Sequence, residues 1–337
     1  MKEKSKKRFD LKSFNLKAFL TENGLYLVVL AMVVFTSFVR PNFFSLRNLS
    51  NILANSSVRF IIAMGVSGTL ITRGTDLSAG RITGFAAVIT GTLVQRPDFA
   101  GKFFPDLPDM PILIPFLIVL VVGALLGLIN GVVVAYLKVP AFLGTLGAQI
   151  YVFGLNMLYS KNRPIGTFKP EFLEIGSGKV FGFIPYLAVI AAVIGVAMWI
   201  LYNKTKHGKY MYAIGGNEEA AEVSGVNVGF SKLKIYTLAG MLYAVAGYLL
   251  AAKTGSVGAN GGFGYELEAI ASATIGGVST AGGEGTIPGV LLGVMVFELL
   301  KTSLNFLGVS PEMVNVIQGL VIIVAVALDI RKTMEKR

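Results

Sequence analysis

Residues 180–203, VFGFIPYLAVIAAVIGVAMWILYN, run for 24 positions without a charge and place apolar side chains on every face of a helix. A strand of a membrane barrel alternates polar and apolar residues over about ten positions, and this stretch does not alternate. A helix needs about 20 apolar residues to cross the hydrocarbon core, so the stretch reads as one transmembrane helix. Outward from it, further charge-free windows lie at Asn23 to Val39, Met110 to Leu137, Val139 to Ser160, Ile235 to Ala252 and Val314 to Leu328. Four shorter windows, Phe60 to Thr72, Ile82 to Gln95, Ala269 to Gly283 and Gly285 to Phe297, are studded with Gly, Ser and Thr. They read as short, tilted or broken helices buried among the others.

The expected fold is therefore all-α: a polytopic membrane protein of about ten transmembrane helices. Composition agrees, with 54% hydrophobic residues, 15% charged and a mean hydropathy of +0.68 in 337 residues, too apolar for a soluble globular chain. The first window is followed by Arg40 and Pro41 and lacks a small-residue cleavage site, so it reads as a retained span rather than a signal peptide.

Lys and Arg accumulate on the cytoplasmic side of membrane proteins. An internal N-terminus and ten crossings place 19 of the 30 basic residues inside, in the tail to Lys17, at Arg73 and Arg81, at Lys138, from Lys204 to Lys234 and from Arg331 onward. Both termini are thus expected in the cytoplasm. The expected division is a basic cytoplasmic tail at 1–22, a transmembrane domain at 23–330 with a cytoplasmic loop at 204–234, and a second tail at 331–337.

The net charge of +11 does not point to nucleic acid, because the basic residues form no contiguous patch and anionic membrane lipid accounts for them. There is no cysteine, which removes disulfide and thiolate chemistry. One histidine, His207, without further ligands nearby gives no metal site.

Between the sixth and seventh windows lies a polar island, Ala213 to Val228, AIGGNEEAAEVSGVNV. Asn217 is placed to cap a helix, Glu218 and Glu219 fall where its dipole favours carboxylates, and Gly225 supplies a left-handed stop. About two turns of helix cannot persist alone in water. Its apolar content, Ala220, Ala221 and Val223, is too thin for lipid binding, and adjacent alanines suit the close approach of another protein. The segment reads as a docking element facing the cytosol.

That island, with GTDLSAGRITG at Gly74 to Gly84, GLING at Gly127 to Gly131 and GGVSTAGGEGTIPGVLLG at Gly276 to Gly293, closely resembles the permease subunit of bacterial ABC-type sugar importers, the ribose-permease-like family. The resemblance runs from about Gly24 to Asp329. It implies a multi-pass protein of the bacterial inner membrane whose cargo is a monosaccharide, galactose or a methyl galactoside first, ribose or another small sugar otherwise. It implies three partners: a cytosolic ABC ATPase, a periplasmic or lipid-anchored sugar-binding protein, and a second permease copy in a homodimer. It also implies that Gly215, Gly216, Asn217, Glu218, Glu219, Ala220, Ala221, Ser224 and Gly225 form the coupling loop to the ATPase. ATP and magnesium would be used by that partner, with no cofactor on this chain. The chain carries no GxxxxGK[ST] loop, since its Gly-Lys pairs at Lys102, Lys179 and Lys209 are followed by Phe, Val and Tyr. It is not expected to be an enzyme.

Polar groups inside the windows are the candidates for a sugar pathway: Asn130, Gln149, Asn156 and Gln318, with Phe142 and Tyr151 offering rings. Each has an alternative use in hydrogen bonding between helices. Thr75, Asp76 and Ser78 form a candidate gate in a polar turn, where Asp76 either pairs with a neighbouring arginine or caps the next helix. Glu284 is placed to cap the restart after the glycine-rich turn at Thr280 to Gly289. Glu298 and Lys301, three apart, read as a self-neutralising pair. Gly123, Gly127 and Gly131 form a close-packing stripe.

A candidate internal repeat matches ALLGLING at Ala124 to Gly131 with VLLGVMVF at Val290 to Phe297, five spans apart and so inverted; the turns SAGR and STAGG suggest a different pairing. The rival function is an ion-coupled secondary sugar transporter, which invests carboxylates deep in its helices, whereas the acids here read as lying in loops and span ends.

Overall fold

The computed structural model describes residues 16–335, so the basic run Lys2 to Lys12 and the last two residues of the expected tails lie outside the described residues. The helices are α1 (Leu16–Val39), α2 (Leu46–Ile71), α3 (Ala79–Leu93), α4 (Leu113–Ala135), α5 (Ala141–Ser160), α6 (Pro170–Ser177), α7 (Tyr186–Lys204), α8 (Lys206–Gly216), α9 (Glu218–Val223), α10 (Val228–Thr254), α11 (Tyr265–Ile275), α12 (Ile287–Phe306) and α13 (Pro311–Glu335). Four two-residue strands, β1 (Ile165–Gly166), β2 (Lys179–Val180), β3 (Ile184–Pro185) and β4 (Ser256–Val257), pair as β1 with β4 and β2 with β3, both antiparallel. The all-α expectation holds.

Seven of these helices, α2, α4, α5, α7, α10, α12 and α13, are long and apolar enough to cross a membrane. One shorter apolar helix joins them, Tyr26–Val39 of α1, while the remaining two of the ten expected windows correspond to the short helices α3 and α11, with 15 and 11 residues. Of the four short windows, two are parts of full-length helices. The window at Phe60 was cut by Arg59, yet α2 runs 26 residues through it; Glu298 likewise truncated α12, which has 20. Both charges are paired inside the protein, which is why the helices continue past them.

Two long antiparallel helices, α2 and α10, form the centre. The apolar window of α10 is 78% buried and that of α2 67%, against 17% for α13 and 22% for α5, which face outward. Packing around them is reciprocal: α10 lies on α3 and α4 as α2 lies on α11 and α12. The glycine stripe explains one of these contacts. A Cβ on Gly127 would stand 2.3 Å from the Tyr236 carbonyl oxygen, and one on Gly123 2.4 Å from that of Gly240, so α4 and α10 pack backbone to backbone.

The short helices α3 and α11 each follow a long central helix across an irregular stretch, 72–78 and 255–264. This correspondence runs five spans apart and agrees with the LLG pairing of α4 and α12, not with the SAGR and STAGG turns. The second stretch packs on the first turns of α3: a Cβ on Gly84 would lie 1.9 Å from the Gly261 carbonyl oxygen, and one on Gly80 2.3 Å from that of Gly262. Broken helices at such depth survive only where protein satisfies their backbone.

Candidate functional site

At one end of the bundle the chain leaves α7, forms α8 and α9, and enters α10. Thr205 caps α8, and Asn217 ends α8 while capping α9, its Oδ1 accepting from the Ala220 N–H at 2.9 Å. Glu218 and Glu219 occupy the first turn of α9, and Gly225 takes φ +85°, a conformation that favours glycine. The caps follow the sequence. At six residues α9 is shorter than expected, and it is held from beneath by a small cluster of Ile214, Ala221, Val226 and Val228 and by Lys232 bonded to Glu218 at 2.6 Å.

That seat corrects one expectation. Ala220 and Ala221 do not form a shared outer surface: Ala221 is buried, while Ala220 faces out beside Glu219, Glu222 and Ser224. The apolar knob of the outer face is Val223, 91% exposed.

The α8–α9 junction is fastened to both central halves of the bundle. Arg73, with φ +62° just beyond α2, donates from Nε to the Gly215 carbonyl at 2.8 Å and from Nη2 to that of Gly216 at 2.6 Å. The Gly283 N–H, from the turn before α12, donates to the Ile71 carbonyl at 2.8 Å. Gly215 fits between them with no room for a side chain, since a Cβ would stand 1.8 Å from the Ile71 oxygen and 2.5 Å from the Gly283 nitrogen. Tyr212 donates to the Gly285 carbonyl at 2.8 Å. His207 on α8 is half-buried, and burial followed by the charge of Lys234 holds its imidazole below the usual value, favouring the neutral ring.

Inside the bundle, Asp76 neither pairs with arginine nor caps α3, whose N-cap is Ser78 without a side-chain cap bond; it closes a turn onto Ser78 instead. Its Oδ1 accepts from the Ser78 N–H at 3.0 Å and the Ser78 hydroxyl at 2.6 Å, and its Oδ2 from the Tyr243 hydroxyl at 3.2 Å. Asn130 of α4 donates to the Ser78 hydroxyl at 2.8 Å, and Thr145 of α5 donates to the Thr75 carbonyl at 2.9 Å. Thr75, Asp76, Ser78 and Asn130 thus come together as one buried network tying α3, α4, α5 and α10. Similarly Thr286, not Glu284, caps α12, accepting from the Gly289 N–H at 3.1 Å.

A second group lies along α5, further into the bundle. Gln149 donates to Glu266 Oε1 at 3.1 Å, and Asn156 donates to the Ala259 carbonyl at 3.2 Å. Arg81, at the start of α3, stacks on Phe153 and Phe263 at 4.1 and 4.7 Å and is attracted by Glu266. Tyr151 is partly exposed on α5, and Phe142, 55% exposed, points away from the network. Gln318 is buried on α13, which packs on α11 and α12, and does not join the α5 group.

Sequence reasoning missed Arg81, Arg59, Glu266 and Glu268 as interior groups. The available signal was ionisable residues within otherwise apolar helices. The acids are not confined to loops and span ends: Glu266 and Glu298 are each 2% exposed. Nor do Glu298 and Lys301 neutralise each other. Glu298 lies 3.3 Å from Arg59, and Lys301 bonds Glu268 at 3.3 Å. Interior carboxylates therefore do not separate this chain from an ion-coupled carrier.

Relatives bear on that choice. Residues 48–326 match the family model described as branched-chain amino acid transport system / permease component. The chain belongs to this family. The permease is 47% identical over 340 residues to the galactose/methyl galactoside import permease protein of Escherichia coli K12, covering 97% of this chain and all of that protein. It is 45% identical over 332 residues to the protein of the same name from Haemophilus influenzae, 97% and 98% covered. The ribose import permease protein of Haemophilus influenzae is 35% identical over 321 residues, 94% and 95% covered. No solved structure matches the permease. Its family description names a transport system of several components, and the cargo in the relatives' names is a sugar, not an amino acid.

Proposed function

We propose that this permease forms the translocation pathway of an ATP-driven sugar importer, with galactose or a methyl galactoside as cargo. The observation that carries the reading is end-to-end similarity at 47% identity to an import permease named for those sugars. In this reading a cytosolic ATPase pair, using ATP and magnesium, grips α9 by its outer face of Glu219, Ala220, Glu222 and Val223. ATP-driven closure then pulls on α8 and, through Arg73 and Gly283, on the ends of α2 and the turn before α12. A bundle built of two reciprocal halves can answer such a pull by tilting one half against the other. The N- and C-termini and α9 lie on the cytoplasmic side of the inner membrane, following the basic residues.

A second identical copy completes the pathway, and an external sugar-binding protein, periplasmic or lipid-anchored, delivers the cargo. Thr75, Asp76, Ser78 and Asn130 act as a fixed gate post, and Gln149, Tyr151 and Asn156 on the outward helix α5 are offered to the sugar; Phe142 and Gln318 are the less favoured pathway candidates, given where they lie. Reconstitution tests the reading: galactose uptake into proteoliposomes is expected to require ATP, the ATPase and the binding protein together. Uptake by the permease alone, driven by a proton or sodium gradient, would refute it.

A further inference from the structure

At the end of the bundle opposite α9, where α2 begins and α10 ends, α2, α10, α11 and α12 line an open cavity of about 300 Å³. That size is at the lower limit of small-molecule sites. None of the groups lining it belongs to the candidate pathway on α3, α4 and α5.

Its polar wall is a connected network. Arg59, whose side chain is 12% exposed, bonds Glu268 at 2.5 Å and lies 3.3 Å from Glu298. Asn55 donates to Glu298 Oε1 at 2.7 Å and accepts from Lys253, while Lys301 reaches Glu268 from α12. Five ionisable side chains between membrane helices are costly, and a network serving stability alone would be expected to close on itself and leave no space. Here it borders a cavity with bonding capacity to spare. Lys253 and Lys301 each carry N–H groups beyond the bonds they make. Asn51 stands at the rim, and the rings of Tyr265 and Phe306 add apolar faces.

The mixture of charges selects the ligand. An anion would face Glu298, with Glu268 behind Arg59 and Lys301, and a cation would face Arg59, Lys253 and Lys301. A hydroxyl group both donates and accepts, so a polyol can use both signs at once, with its C–H faces against the rings. We infer that this cavity binds one neutral monosaccharide within a single chain, on the side opposite the coupling segment, as a receiving site ahead of the shared pathway. The inference rests on the sugar-importer reading and adds a site to it.

The chain's lack of cysteine makes the test direct, because Asn51→Cys places a single thiol at the rim. The full chain in lipid nanodiscs is alkylated with a charged maleimide in the presence of galactose, ribose, xylose or sodium sulfate. At ten times the half-protecting concentration of the right sugar, labelling should slow about tenfold, while Ser177→Cys, exposed at the end of α6, is unaffected. Tyr265→Phe or Lys253→Met in that background should raise the half-protecting concentration about three- to tenfold for each hydrogen bond lost. Protection by sulfate and by none of the sugars would overturn the inference in favour of an anion site. Absence of protection in a chain that still supports ATP-dependent uptake would overturn it and leave the importer reading standing. Sugar protection without ATP-dependent uptake would support the site and count against the importer reading.

Discussion

The guanidinium of Arg73 holds the Gly215 carbonyl at 2.8 Å across 142 residues of sequence, joining the end of α2 to the last turn of α8. Arg73 adopts φ +62° to do so. Gly215 in turn touches both the end of α2 and the turn before α12, so a force on α9 reaches the two central halves through one joint.

Breaking that joint should uncouple the machine without unfolding it. Arg73→Ala removes two charge-assisted bonds in a half-open setting, worth about 1–3 kcal/mol in the seating of α8. Sugar uptake should fall about tenfold or more while membrane insertion and ATPase capture persist, measured by uptake and copurification from the same vesicles. Arg73→Lys supplies one point donor instead of a fork and should recover only part of the loss. Unchanged uptake in Arg73→Ala would mean that the joint carries no motion.

Val223 and Ala221, two residues apart on α9, should separate docking from folding. Val223→Arg alters only the exposed face and should abolish ATPase copurification at normal permease levels. Ala221→Arg forces a charge into the cluster of Ile214, Val226 and Val228, so the permease itself should be lost from the membrane. The same loss from both variants would contradict the outward orientation of Val223.

Local signals in the sequence were read correctly where neighbours alone decide them. Asn217 caps because its own side chain reaches Ala220, and Gly225 stops α9 because of its own φ. Apolar windows marked the seven helices long enough to cross a membrane in order, and the glycine stripe marked the close-packed face of α4. What failed was everything set by distant partners. Arg59 ended a window only because Glu268 and Glu298, more than 200 residues away, could not be seen neutralising it. Ala221 is a nearer case, since Ile214 and Val228, which cover it, lie only seven residues to either side but belong to α8 and α10 and meet it only when those helices fold together. The network around Asp76 needed Asn130 and Tyr243 from two other helices.

Removing the acceptor at the centre of that network should be costly. Asp76→Ala leaves the Ser78 N–H, the Ser78 hydroxyl and the Tyr243 hydroxyl without their buried acceptor, at about 1–3 kcal/mol for each that finds no substitute. Thermal unfolding in detergent should begin at clearly lower temperature than in wild type. Tyr243→Phe, which removes one donor together with its need, should cost about 1 kcal/mol. Equal stability of Asp76→Ala and wild type would show that the turn is held by other contacts.

His207 gives the permease an acid limit whose sign can be worked out. Burial and Lys234 lower its value in the folded chain below the 6.5 of a free imidazole. In the window between those two values the unfolded chain binds the proton more readily than the folded one, so stability rises with pH there. The neutral ring's contribution is therefore complete above about pH 6.5 and declines as pH falls through the window, by at most about 1.4 kcal/mol per pH unit for one proton. Unfolding temperatures of the wild type and His207→Gln should differ by a constant amount between pH 7 and 8. Below pH 6.5 the wild type should lose stability relative to His207→Gln, because only the imidazole takes up the proton. If the two curves stay parallel from pH 8 to pH 5, the imidazole is not held neutral by its surroundings.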